Sequence, residues 1–238
     1  MNLFQQDHCL ICNNVIHPDI GWRAIFSTEE EHFLCTKCKW NLEKIEGETC
    51  RICCRPFCQL DEKFRKGDLC NDCFRWERDP EWQGFLEKNR SLFLYNEFLK
   101  EVIAKFKFRG DYVLAKVFSV FFKAELTKMS PDLLVPIPLS MERLYERGFN
   151  QTVALLNESG HRPSEILTRV HSEKQSKKSR TERIHLPQVF KLAAEINLQG
   201  KRVVLIDDIY TTGSTLRHAA KVLKAAGAAS IQSLTLAR

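Results

Sequence analysis

One stretch near the C-terminus, residues 203–215, constrains the fold more than any other part of the chain. It opens with four consecutive apolar residues, a pattern typical of a buried strand in a parallel sheet. Asp207 and Asp208 follow at once, at the carboxyl end of the strand, where open α/β sheets bind their ligands. A short hydroxyl-rich loop with one glycine comes next, and an amphipathic helix is predicted over residues 216–226. The sequence therefore predicts a strand, loop and helix unit that carries a binding site.

The loop and the start of this helix are suited to an anion. Backbone N–H groups in the first turn of a helix lack partners within the helix, and they bind phosphate together with Ser and Thr hydroxyls. The neighbouring acids favour a phosphorylated sugar over phosphate alone, because carboxylates accept hydrogen bonds from ribose hydroxyls. An ordinary Asp-rich turn between a strand and a helix is the alternative. The residue order resembles the signature of type I phosphoribosyltransferases, which implies that Asp207 and Asp208 bind the ribose of phosphoribosyl pyrophosphate and that its 5′-phosphate is bound by Thr211, Thr212, Gly213, Ser214 and Thr215.

Length and composition set the wider limits. The 238 residues are enough for one medium domain and one small domain. The N-terminal residues lack the basic start and apolar core of a signal peptide, and no apolar run approaches the length of a membrane span. We therefore expect a cytoplasmic protein.

The 10 cysteines all lie between Cys9 and Cys73, and eight of them form four CxxC pairs. In a cytosolic protein such clustered pairs are typical of metal ligands, and two pairs complete one tetrahedral zinc site. We predict one site from Cys9, Cys12, Cys35 and Cys38, and a second from Cys50, Cys53, Cys70 and Cys73. A cross-braced arrangement of alternate pairs remains open. Cys54 and Cys58 are predicted to be free thiols, with Cys54 as an alternative to Cys53.

Charge and cysteine content both indicate a domain boundary near residue 79. Residues 1–79 hold 11 Lys and Arg against 14 Asp and Glu, whereas residues 80–238 hold 25 against 16. We predict a double zinc ribbon over residues 1–79 and an α/β domain over residues 80–238. The acidic first part favours protein contacts, and the basic second part favours a polyanionic partner.

Two basic segments outside the acid pair are further candidates. Phe106-Lys107-Phe108-Arg109, at the end of a helix predicted over residues 97–108, interleaves aromatic and basic residues as single-strand binders do. The favoured alternative is an amphipathic helix whose face with Lys100, Lys105 and Lys107 is solvated. Residues 171–183 are polar and basic, and they predict either a mobile segment that closes over a polyanion or a solvated loop.

A second anion site is predicted after the strand over residues 133–138. Arg143 and Arg147 lie in the loop predicted there, directly before a helix over residues 150–159. This arrangement places cations and N–H groups at the carboxyl edge of the sheet, which suits a pyrophosphate. The alternative is a salt-bridged surface loop, because Glu142 and Glu146 lie beside the two arginines.

The full arrangement resembles the ComF family of bacterial competence proteins, most closely its phosphoribosyltransferase-like type from Gram-positive bacteria. The resemblance covers nearly the whole chain. It rests on the four CxxC pairs, Phe106-Lys107-Phe108-Arg109-Gly110, Val135-Pro136-Ile137-Pro138, Glu146-Arg147-Gly148-Phe149-Asn150-Gln151, Glu173-Lys174-Gln175-Ser176-Lys177-Lys178 and the motif over residues 207–215. It implies a double zinc ribbon before a type I phosphoribosyltransferase fold, a Rossmann-like parallel sheet. It also implies a role in natural transformation, the handling of incoming single-stranded DNA with a companion helicase and other transformation proteins.

Two functions are compatible with this resemblance. The first is a competence factor with a pocket for phosphoribosyl pyrophosphate. The second is an active Mg²⁺-dependent phosphoribosyltransferase with an unknown acceptor. In that enzyme the acid pair would orient the ribose, and the charge that develops as pyrophosphate leaves would be stabilised by Arg143, Arg147, Lys174 and Arg183. The sequence shows no recognisable pocket for a base or amine acceptor, so the enzyme is the alternative.

Overall fold

The computed structural model describes residues 7–16, 33–108, 111–170 and 189–238. Its helices are α1 (Thr36–Asn41), α2 (Asn71–Arg78), α3 (Glu97–Phe108), α4 (Leu114–Met129), α5 (Met141–Arg147), α6 (Gln151–Glu158) and α7 (Ser214–Ala225). Its strands are β1 (Arg65–Lys66), β2 (Leu69–Cys70), β3 (Lys88–Phe93), β4 (Leu133–Pro136), β5 (Leu167–Arg169), β6 (Phe190–Leu192), β7 (Arg202–Ile209) and β8 (Ser230–Ala237). No helix in these ranges combines the length and apolar character needed to cross a membrane.

Four parallel strands form the central sheet, in the order β3-β8-β7-β4. Successive residues of β7 point to opposite faces, so Val204 packs with α3, α4 and α6 while Val203 and Leu205 pack with α7. The sheet is therefore covered on both faces, as parallel sheets require. This confirms the predicted α/β class with a parallel sheet.

Polar residues extend β3 beyond the predicted strand. The sequence indicated a strand over residues 91–95, whereas β3 begins at Lys88. Asn89 and Ser91 are buried and bond across to β8: the Ser233 hydroxyl donates to Asn89 Oδ1 at 2.8 Å, and Ser91 Oγ lies 2.8 Å from Thr235 Oγ1. Because each polar group finds its partner on the neighbouring strand, polarity does not end this strand.

Two predicted elements are confirmed closely and one is wrong. α3 spans the predicted residues 97–108, and β7 with α7 reproduces the predicted strand, loop and helix. The segment with Arg143 and Arg147 was predicted to be a loop, but it forms α5. The Ser140 side chain accepts a hydrogen bond from the Arg143 N–H at its start, and Gly148 ends it in the left-handed conformation.

Candidate ligand site and metal centres

The acid pair lies in the last part of β7, at the carboxyl edge of the sheet. Asp207 and Asp208 are both half-buried, and the Asp208 N–H donates to Asp207 Oδ1 at 2.9 Å. Burial, and then the charge of Asp208, raise the pKa of Asp207 from 3.8 to about 7. A carboxyl group that titrates near neutral pH is typical of a functional site.

Three cations from different elements face this acid pair. Lys107, near the end of α3, forms an ion pair with Asp208, with 2.6 Å between Nζ and Oδ2 and side chains only 15% and 16% exposed. Arg147 ends α5 and is attracted to both acids, and Arg169 ends β5 and is attracted to Asp207. Burial lowers the pKa of both guanidinium groups, and the nearby charge of Arg143 adds to that effect. The edge of the sheet thus combines two acids with buried positive charge.

Arg147 is the most enclosed of these cations. Its Nη1 donates to Gln151 Oε1 at 2.8 Å, and its guanidinium carbon lies 5.5 Å from the centre of the Phe108 ring. Its buried Nε finds no acceptor among the described residues. An anion would be a favourable partner for this Nε–H group, because a buried donor without an acceptor is costly.

The segment over residues 210–215, here called the hydroxyl loop, consists of the turn after β7 and the first two residues of α7. Thr211 and Thr215 are exposed, and Thr212 Oγ1 accepts a hydrogen bond from the Ser214 N–H at 3.4 Å. Gly213 is the N-cap of α7 and has a φ of 80°, the left-handed region that favours glycine. A Cβ at this position would also overlap the Tyr210 hydroxyl. The loop therefore requires glycine here for two separate reasons.

Helix α2 supports the hydroxyl loop from the cysteine-rich part of the chain. The indole N–H of Trp76 donates to the Thr212 carbonyl at 2.9 Å. Arg217, which is 0% exposed, donates from Nη1 to the Tyr210 hydroxyl at 2.9 Å and from Nη2 to Glu77 Oε1 at 3.2 Å. The loop is thus fixed from beneath by residues more than 130 positions earlier in the chain.

The cysteines form the two predicted groups of four. Within each group the sulfur atoms all lie within 4.8 Å of one another, and the members are Cys9, Cys12, Cys35 and Cys38 in the first, and Cys50, Cys53, Cys70 and Cys73 in the second. The Cys12–Cys35 and Cys53–Cys70 sulfur pairs are 3.6 Å and 3.5 Å apart. Tetrahedral zinc with bonds of about 2.3 Å needs sulfurs roughly 3.8 Å apart, so both groups could hold a zinc ion. The sequential pairing is confirmed over the cross-braced one.

The two groups begin with the same backbone turn. Asn13 donates its N–H to the Cys9 carbonyl at 2.8 Å, and Cys54 donates its N–H to the Cys50 carbonyl at 2.9 Å. Asn13 and Cys54 have φ values of 61° and 62°. Cys54 thus closes the turn and points its sulfur towards the Ser91 carbonyl, 4.0 Å away, and it is Cys53 that belongs to the group.

Several predicted site residues are placed differently from expectation. Arg143 is exposed on α5. Lys105 and Lys107 do not share a solvated face, which corrects that interpretation: Lys105 Nζ donates to the Ile11 carbonyl at 3.5 Å, and Lys107 pairs with Asp208. Lys174, Arg183 and Arg109 lie outside the described residues.

Sequence reasoning did not assign Lys107, Arg169, Trp76 or Arg217 to this site. No local signal marks them, since each meets its partner through the fold. Arg217 lies away from the apolar face predicted from Leu216, Ala219, Ala220, Val222 and Leu223, so helical periodicity gave no reason to expect it to be buried.

Known proteins resemble the chain in both sequence and domain content. A family model described as a phosphoribosyl transferase domain matches residues 154–238, which include β7, the hydroxyl loop and α7. Competence protein ComFC of Bacillus subtilis (strain 168) is 41% identical over 97% of this chain and 94% of its own length. Competence protein ComFC of Streptococcus pneumoniae is 32% identical over 97% and 99%. The DNA utilization protein YhgH of Salmonella typhi is 28% identical over 86% and 96%. Because identity of this level extends over nearly the whole length, the chain belongs to the ComFC family of competence proteins and carries a phosphoribosyltransferase domain.

Proposed function

We propose that the carboxyl edge of the sheet binds phosphoribosyl pyrophosphate together with Mg²⁺. The observation that carries this proposal is the meeting of an acid pair, the start of α7 and a buried, incompletely bonded Arg147 at one edge. Asp207 and Asp208 bind the ribose hydroxyls, and residues 211–215 bind the 5′-phosphate through N–H and hydroxyl groups. Arg147 and Arg143 bind the pyrophosphate.

Lys107 adds a step to ligand binding. In the described structure its ammonium group neutralises Asp208. In a ligand complex, ribose hydroxyls would replace this ammonium group as partners of Asp208, and Mg²⁺ would supply positive charge beside the acids. Lys107 would then be available to the phosphates. The ion pair offsets the charge of Asp208, which limits the electrostatic cost of two adjacent carboxylates.

Calorimetric titration of phosphoribosyl pyrophosphate with Mg²⁺ tests the pocket. The full chain is expected to bind saturably, and Asp207→Asn/Asp208→Asn is expected to weaken binding by about 100-fold, since two charged hydrogen-bonding groups are lost. Asp132→Asn is the matched control, because Asp132 pairs with Arg202 at the start of β7, the opposite edge of the sheet. Absence of saturable binding by the unaltered chain would reject the pocket.

We further propose that the protein acts in the cytoplasm in handling single-stranded DNA during natural transformation, with a companion helicase and other transformation proteins. Support comes from relatives named for competence and DNA utilization and from the excess of positive charge over residues 80–238. Tyr145 is 92% exposed on α5, two residues from Arg143 and from Arg147, and the exposed ring of Phe108 lies 5.5 Å from the guanidinium carbon of Arg147. Exposed aromatic rings among cations are suited to stacked bases.

Fluorescence anisotropy with a labelled oligonucleotide across salt concentrations tests this second part. Binding should weaken steeply with salt, because phosphate contacts release counterions. Tyr145→Ala is expected to weaken binding by roughly fivefold to tenfold, the loss of one stacked base. Trp40→Ala, which removes an aromatic ring 80% exposed on α1, should have no effect. A flat salt dependence would contradict the proposal.

Zinc is the metal we propose for both cysteine groups, since four thiolates in tetrahedral arrangement favour it. Elemental analysis of the purified chain should give two zinc ions per molecule. A value close to one would leave one group without its proposed metal.

The division of the chain into a domain over residues 1–79 and a domain over residues 80–238 stays a prediction.

An active phosphoribosyltransferase is the second candidate. The observation that favours it is the Asp207 carboxyl, whose pKa of about 7 allows it to accept or release a proton near neutral pH. A screen for pyrophosphate release with nucleobases, amines and nucleic-acid ends as acceptors tests this candidate. Release that depends on Asp207 and on one acceptor class would establish catalysis, and no release with any acceptor would leave only the binding function.

A further inference from the structure

Helix α2 joins the second cysteine group to the hydroxyl loop. Cys70 is the residue before the helix, and Cys73 lies in its first turn, so the metal-binding group fixes its beginning. Trp76 and Glu77 lie one turn later and contact the loop and α7. A rigid turn of helix thus separates the sulfur cluster from the segment proposed to bind phosphate.

The hydrogen bond from the Trp76 indole to the Thr212 carbonyl also determines the direction of the Gly213 N–H group. The peptide group between Thr212 and Gly213 is planar and trans, so its carbonyl and its N–H point in opposite directions. Because the indole N–H of Trp76 holds the carbonyl towards α2, the Gly213 N–H points away from α2. If this peptide flipped, a carbonyl oxygen would replace an N–H donor and repel an anion.

Arg217 joins the start of the same loop to α2. It bonds to the Tyr210 hydroxyl before the glycine and lies 5.1 Å from the centre of the Trp76 ring. It also lies close enough to Cys73 for their charges to interact, so a metal–thiolate group would supply negative charge to this buried cation. Loop, arginine and cysteine group are therefore one connected unit.

We propose that Trp76 is a positioning residue for the phosphate site, acting through the Thr212–Gly213 peptide to keep the Gly213 N–H aimed at the ligand. This inference rests on the proposed function and deepens it. It assigns to the second cysteine group the task of placing α2, and hence of setting ligand affinity. The first cysteine group packs instead against α3 and α4.

Two tryptophan substitutions in the full chain separate this role from simple packing. Trp76→Phe keeps a buried ring but removes the N–H that bonds to Thr212. Trp82→Phe is the matched control, because Trp82 is similarly buried and packs edge-to-face against Trp76 with 5.3 Å between ring centres. Its N–H finds no acceptor among the described residues. Both variants lose similar volume, so differences between them report the hydrogen bond.

Affinity for phosphoribosyl pyrophosphate with Mg²⁺ is measured by calorimetry, beside zinc content and the melting temperature. We expect Trp76→Phe to raise the dissociation constant by about tenfold with two zinc ions retained, and Trp82→Phe to change it by less than about twofold. Equal affinities of the unaltered chain and Trp76→Phe would overturn this inference while leaving the pocket in place. No binding by the unaltered chain would overturn both. If the two variants weakened ligand binding equally, the effect of Trp76 would be explained by packing alone, and this inference would also be overturned.

Discussion

The two cysteine groups have the same backbone turn but different surroundings. In the second group all four cysteines are buried, and they pack with α7, β7 and the base of the hydroxyl loop. In the first group Cys12 is exposed and Cys35 half-buried, and the group packs against α3 and α4 on the other face of the sheet. The first group thus supports the helix that carries Lys107, and the second supports the hydroxyl loop.

Their electrostatic surroundings differ as well. Arg55, Arg217 and Arg238 lie near enough to the second group for their charges to act on its sulfurs. Four thiolates around one zinc ion carry a net charge of about −2, which such cations offset in a buried site. Burial and surrounding charge together indicate that the second group is part of the protein's core, and that the first is a more peripheral support.

Replacing one cysteine in each group tests this difference, and it should give the largest change in the free energy of unfolding. Cys53→Ser should lower the free energy of unfolding by more than about 4 kcal/mol, because a buried metal site and its packing are lost together. Cys12→Ser, at an exposed position, should cost about 1–2 kcal/mol. Urea unfolding with zinc analysis measures both, and equal losses would show that the two groups are equivalent.

Gly213→Ala tests the loop that the second group supports. We expect a loss of about 3 kcal/mol, because the added methyl overlaps the Tyr210 hydroxyl and the backbone is left-handed. Gly160→Ala is the control: its φ is 75°, and nothing lies within 4 Å of the added atom, so only the backbone strain of about 1 kcal/mol applies. Similar losses at the two glycines would contradict the close packing of the loop.

The protein's free energy of unfolding should depend on pH through the carboxyl group of Asp207. Because the folded state keeps the Asp207 proton up to about pH 7 while the unfolded chain releases it near 3.8, stability should fall as pH rises through this interval and then level off. Between pH 5 and pH 7 the fall attributable to Asp207 should be about 2 kcal/mol, and Asp207→Asn should abolish it. Urea unfolding at both pH values measures the difference. A variant with the same pH dependence as the unaltered chain would show that Asp207 titrates normally.

Replacing two lysines of α3 should give the smallest changes in the free energy of unfolding. The two variants compare the contact of α3 with the acid pair and its contact with Ile11. Lys107→Met breaks the partly buried pair with Asp208 and should cost about 1 kcal/mol in urea unfolding at pH 7. Lys105→Met removes only a 3.5 Å contact with the Ile11 carbonyl of the first cysteine group and should cost under about 0.5 kcal/mol. A reversed order would mean that the first group depends on α3 more than the acid pair does.

Local sequence signals were sufficient for much of the fold and for one half of the site. The apolar run, acid pair, glycine and amphipathic helix over residues 203–226 predicted β7, the hydroxyl loop and α7, and the CxxC spacing predicted both cysteine groups. Helix α5 was also predictable, since Ser140 and Gly148 are its capping residues, but the two arginines between them were interpreted as a loop.

The other half of the site depends on contacts between distant parts of the chain. Lys107 and Asp208 are about 100 residues apart, and Trp76 and Thr212 are 136 apart. Periodicity shows which face of a helix is apolar, but it does not show which charged residue at the border of that face will meet an acid on a strand. The lysines of α3 were misplaced for this reason.

Mapping the ligand on the chain tests the central claim most directly. Phosphoribosyl pyrophosphate with Mg²⁺ is added to the ¹⁵N-labelled, zinc-loaded protein, and shifts of the backbone amide signals are recorded. The account predicts that the largest shifts fall on residues 207–215 and on Lys107, with the Gly213 amide among them. Shifts confined to another surface, such as the apolar groove lined by Leu192, Ile196 and Val222, would contradict it.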